Sequence, residues 1–154
     1  MAVTDWIDKI AKVWSKIEDG KGSSMRSYRS FEKAEFPDAL SQFPCVLTYV
    51  TNLPSVQYSA GGPNKAVWRG VSEFHIVPNV LKSNYPYLMS FYDRIIKAAA
   101  ANYQLGGAVD HFVLVNPDAI RPGVLSYGSE ELHLGLVVSW EVKDNLTVSV
   151  SVGG

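Results

Sequence analysis

The stretch "ELHLGLVVSWEV", Glu131 to Val142, leaves the chain few ways to fold. Every second residue from Leu132 is apolar: Leu132, Leu134, Leu136, Val138, Trp140 and Val142. His133, Gly135, Val137, Ser139 and Glu141 stand between them. A period of two over this length predicts a long strand with one face on a core. The opposite face is too mixed for a core and too plain for an active site. What that face is for is the question the rest of the chain has to answer.

The core that this strand demands has two helices to draw on. Thr4 is placed to cap the first, with Asp5 and Asp8 near the positive end of its dipole. Ile7, Ile10, Trp14 and Ile17 follow at helical spacing, joined by Trp6 and Val13, and Gly20 is a natural stop. The second helix is "SNYPYLMSFYDRIIKAAAANYQL". Ser83 or Asn84 is expected to cap it, and Pro86 suits its first turn. Leu88, Phe91, Tyr92, Ile95, Ala99 and Tyr103 form its expected buried stripe. The run Ala98 to Ala101 keeps its later half thin.

Further strands are expected in "CVLTYVT", in two segments around a Gly-Gly-Pro-Asn turn, and in "VDHFVLV" and "IRPGVLSYG". In the segment Ala66 to Val77, Trp68, Ser72, Phe74 and Ile76 share one face, with Arg69, Glu73 and His75 on the other. Gly70 signals a bulge or a close backbone approach. Residues Tyr127 to Glu130 read as a tight hairpin turn. The fold class expected is α+β: a mostly antiparallel sheet flanked by an N-terminal helix and one long central helix, with an extended, Pro-containing arm. The chain reads as a single domain, 1–154, with the helix at 1–20, the arm at 21–44, the core at 45–142 and a last strand or tail at 143–154.

Composition narrows the function. With 154 residues, 47% hydrophobic and 19% charged, the chain is globular rather than disordered. Its 14 basic and 15 acidic side chains leave a net charge of -1. A dedicated nucleic-acid binder would carry a basic excess. Cys45 is the single cysteine, so neither an internal disulfide nor a thiolate metal cluster is available; within "FPCVLTYV" it reads as a small buried hydrophobe. No apolar run is long enough to span a bilayer, and no signal-peptide pattern opens the chain. A reducing cytoplasm is the expected compartment of synthesis.

Catalytic and cofactor motifs are not found. His75, His111 and His133 lack metal-ligand spacing and read as isolated histidines. Asp110 and His111 are neighbours on a strand, so they point to opposite faces. "GKGSS" lacks the first glycine of a phosphate loop. "LGGAVDHF" places its glycines after a helix, the wrong order for a dinucleotide site. There is no G-x-S-x-G elbow. Glu130 and Glu131 fall in a turn, where solvated charge is ordinary. The chain is read as a non-enzyme without metal or cofactor. Arg26, Arg29 and Lys33 alternate with Tyr28 and Phe31, which reads as a solvated arm with anchored aromatics rather than a nucleic-acid patch.

The aromatic load is unusual: 4 Trp, 8 Tyr and 6 Phe, several of them on irregular segments, where aromatics often become contacts between chains. Three sets of motifs then matter together: "FPDAL…FPCVL"; "WRGVSEFHIVPNV" feeding "YLMSFYDRI"; and "LGGAVDHFVLV" leading to the "LSYG…LHLGLVVSWEVKD" hairpin. Over Arg26 to Val142, these motifs and the order of elements resemble the tail-terminator and neck (head–tail joining) proteins of tailed bacteriophages. The resemblance implies a structural virion protein that forms a hexameric ring, caps the tail tube and joins it to the head-side connector or stopper protein. Its partners would be copies of itself, the tail tube protein and that connector, with DNA passing through the lumen without specific binding, in the virion after assembly in the host cytoplasm. Such a ring needs two different patches per subunit. Tyr28, Phe31 and Phe36 of the arm are the candidates for one, Tyr58 and Trp68 for the other. The alternative is a soluble, non-catalytic ligand- or partner-binding domain using the aromatic surface.

Overall fold

The computed structural model describes residues 3–22, 24–29, 40, 42–57, 64–115, 118–128 and 131–146. They form an α+β fold. Helix α1 (Val3–Ser15) leads to strands β1 (Arg26–Arg29), β2 (Cys45–Gln57) and β3 (Asn64–Val77). A bent helix follows as α2 (Tyr85–Met89) and α3 (Phe91–Ala101), and then come β4 (His111–Leu114), β5 (Ile120–Tyr127) and β6 (Glu131–Leu146). The sheet order is β1-β2-β3-β6-β4, with β5 also on β6. Every pairing is antiparallel except β1 with β2.

β6 is the spine of the sheet. Along one flank it pairs with β3 from end to end. Along the other it takes β5 on its first half and β4 on its second. Ser139 marks the junction, accepting from the Val115 amide at 3.0 Å and donating to the Ala119 carbonyl at 2.8 Å. β4 and β5 therefore act as one edge strand interrupted between residues 115 and 119.

Both helices lie on one face. Trp6, Ile10 and Trp14 of α1 and Phe91, Ile95 and Ala99 of α3 are buried against Phe74, Leu136, Val138, Trp140 and Val142. The period-two reading of β6 is right for five of its six apolar residues. Leu132 is 58% exposed, because it lies at the strand end beyond the helices. Ser72 is the polar point of this layer. Its Oγ accepts from Trp14 Nε1 at 2.8 Å and Trp140 Nε1 at 3.1 Å, and lies 3.0 Å from Thr48 Oγ1. A hydroxyl has two lone pairs and one proton; with both lone pairs taken, its proton goes to Thr48.

Several boundaries differ from the sequence reading. α1 starts before Thr4, and it ends at Ser15 rather than near Gly20; Gly20 has φ +78° in the loop beyond. "CVLTYVT" and "LPSVQ" are one strand, β2, whose register against β3 shifts between Val50 and Asn52 and again between Asn52 and Ser55. Part of the arm is a strand: β1 pairs Arg26 to Arg29 with Cys45 to Thr48. Asn84 does not cap the central helix through its side chain; its amide donates to the Asn79 carbonyl instead. Ser90 bends that helix, its hydroxyl donating to the Tyr87 carbonyl at 2.5 Å, a local bond that competes with the helical ladder. Tyr103, expected in the buried stripe, is 55% exposed because α3 ends at Ala101.

Candidate functional site: a buried histidine pair and two exposed apolar surfaces

The face of the sheet away from the helices is divided. Its lower half, near the start of β6, is covered. Leu40, Cys45 and Leu47 are buried there, with Phe43 and Tyr127 packed on them. Gly135 belongs to this half. A side chain on it would meet the Phe74 carbonyl oxygen at 2.1 Å and Leu125 Cδ1 at 2.7 Å. The smallness of that residue thus comes from strand packing.

His75 and His133 lie beneath the same cover and are not isolated. Both are buried, and their Nδ1 atoms are 2.9 Å apart. They sit on adjacent strands, two residues apart along the sheet, since His75 pairs with Gly135. One Nδ1 must donate and the other accept. His133 Nε2 lies 3.2 Å from Glu131 Oε2, which needs a donor. His133 is therefore assigned the Nε2–H tautomer, and His75 Nδ1–H donates to it. His75 Nε2 has no hydrogen-bond partner and faces Glu73 Oε1 at 3.7 Å. Glu73 in turn accepts from the Tyr49 hydroxyl. Burial, then the neighbouring His75, pull the pKa of His133 down against an opposing pull from Glu131. Burial and the Glu73 carboxylate push the Tyr49 phenol up.

The upper half of this face carries Arg69, Val71, Ser139, Glu141 and Lys143, all half-buried or exposed. Two of its cations have carboxylate partners. Glu141 lies 3.5 Å from Arg69 and 3.2 Å from His111, and Lys65 lies 2.5 Å from Asp110. A hollow of about 320 Å³ includes Thr51, Arg69, Arg121 and Ser139 in its wall. Among the described residues no group of three or more His, Cys, Asp or Glu is placed to hold a metal ion.

Two apolar surfaces are exposed on the helix side. The first is a groove of about 220 Å³ between α3 and β4. It is lined by Ile96, Ala99 and Ala100, by Tyr103 just beyond the helix, and by Phe112, Val113 and Leu114. Ile96 is 48% exposed, Tyr103 55% and Val113 39%. The thin alanine run opens this groove, because Ala99 and Ala100 each present only a methyl to it. The second comprises Val80, Leu81, Tyr85 and Met89, where the chain leaves β3 and enters the bent helix.

Of the residues proposed from sequence as subunit contacts, two are described. Tyr28 lies in β1, opposite Leu47. Trp68 is partly buried on the core, its ring 5.9 Å from that of Trp6. Phe31, Phe36 and Tyr58 lie outside the described residues. The exposed Ile96, Tyr103, Val113 and Met89 carry no sequence signal that separates them from core residues. The alanine run was the one hint of the groove. Compared with known protein families and with curated proteins, the chain matches none. Among the described residues no helix is long and apolar enough to cross a membrane.

Proposed function

We propose that this protein is a non-catalytic structural subunit of a tailed-phage virion, a tail terminator or neck subunit. It assembles head to tail into a hexameric ring that caps the tail tube and joins it to the head connector. One observation carries this reading. The subunit exposes two separate apolar surfaces, the α3–β4 groove and the Val80–Met89 region. A closed ring needs two unlike patches, whereas a two-fold dimer uses one patch twice. The upper half of the bare sheet face supports the same reading. Two of its cations, Lys65 and Arg69, are paired with carboxylates, and a wall past which DNA slides must not bind phosphate tightly.

The second reading, a ligand-binding domain, draws on another hollow of about 320 Å³ between α1 and α3 that includes Lys16, Arg94 and Asn102 in its wall. That volume is at the low end for small-molecule sites. Negative-stain electron microscopy of the purified protein over a concentration series tests the ring directly. Closed rings with an open centre are expected. Uniform single-subunit particles at every concentration, in the presence of tube protein as well, would sink it.

A further inference from the structure

The α3–β4 groove has a fitting occupant within this same sequence. β4 lies at the sheet edge and pairs only with β6 among the described residues. Its Phe112 amide is already bonded to the Tyr103 carbonyl. A segment lying along this edge would therefore be held by side chains more than by a backbone ladder. It needs small apolar residues at every second position, on a weakly charged backbone. "TVSVSV", residues 147–152, has that pattern: Val148, Val150 and Val152 alternate with Thr147, Ser149 and Ser151, and none is charged. The segment follows directly on β6.

Its starting point favours another copy over its own groove. β6 is described as far as Leu146, already past the residue that pairs with the start of β4, since Lys143 is opposite His111. Returning to its own groove would mean reversing direction and crossing the width of β4. That distance is about two strand spacings, or ~10 Å, which uses roughly three residues. The first of the three valines would be spent on the turn. A neighbouring subunit can take the whole segment without reversal.

We infer that residues 147–152 of one copy lie along the β4 edge of the next, with their valines in the groove between Ile96, Tyr103 and Phe112. This deepens the ring reading and rests on it for the closure into a ring. It names the contact through which each subunit holds its neighbour.

The test is a chain carrying I96C and V150C together, oxidised under mild conditions, with each single variant as control. Non-reducing electrophoresis should show a ladder of chains linked between copies that neither control gives. A link within one chain, or none beyond the controls, would overturn the inference. Ile96→Glu, at an already exposed site, should keep the native circular dichroism and melting temperature yet lower assembly at least tenfold. Val150→Lys added to it should restore part of that loss. Rings that assemble without the interchain link would leave the ring reading standing and remove this one. Interchain links in the absence of rings would do the reverse.

Discussion

Ser72 shows how one hydroxyl can organise a core. It satisfies the indole N–H groups of Trp14 and Trp140, which come from opposite ends of the chain. Ser72→Ala would leave two buried donors unpaired, at about 1–3 kcal/mol each. Urea denaturation should report a loss of about 3 kcal/mol with an unchanged m-value. Gly135 is constrained differently, by the backbone oxygen of Phe74. Gly135→Ala should cost about 3 kcal/mol through forced strand separation. In a chain of this size that is a fall in melting temperature of roughly 6–12 °C. The histidine pair makes a third residue-scale prediction. Proton uptake at His133 Nδ1 would set two N–H groups face to face across 2.9 Å. Its folded pKa is held below the unfolded value of about 6.5. The unfolded chain then binds the proton more readily, so this contribution to stability is complete above the unfolded pKa and shrinks as pH falls below it. Denaturation at pH 7.5 and pH 5.0 should show that decline, and His133→Asn should flatten it.

At the scale of elements, a long strand organises the fold and short ones finish it. β6 carries β3 on one flank and the interrupted β4–β5 edge on the other. Its alternating pattern was legible because one face is uniformly covered by helices, so burial follows the pleat. The first-helix stripe was legible for the same reason at helical period, and so was the division of faces along β3. What escaped is what local pattern does not encode. The joining of "CVLTYVT" and "LPSVQ" into β2 depends on β3 as a continuous partner across two register shifts. The parallel docking of β1 depends on the free edge of β2. The bend at Ser90 arises from a hydroxyl choosing a nearby carbonyl. The ion pairs that join elements on the bare face matter less for stability. Glu141→Gln should change unfolding free energy by less than about 1 kcal/mol, because Arg69 and His111 meet it near solvent.

For the whole molecule, the opening question has a divided answer. The second face of β6 is partly a smaller core, built on Cys45, Leu47 and the histidine pair, and partly a bare surface carrying ion pairs. If that surface lines a ring, fluorescence anisotropy at physiological salt should find only weak, sequence-independent binding to duplex DNA, in the range of about 10⁻⁴–10⁻⁶ M or weaker. A submicromolar, sequence-selective Kd would contradict the lumen assignment. The order of residues alone settles the α+β class, the helix stripes and the buried face of β6, because periodicity and burial are coupled wherever one side of an element is covered. The meeting of His75 with His133, 58 positions apart, and the groove between α3 and β4 were decided only in three dimensions. Each depends on which strands become neighbours, and that choice is made by the packing of all of them at once.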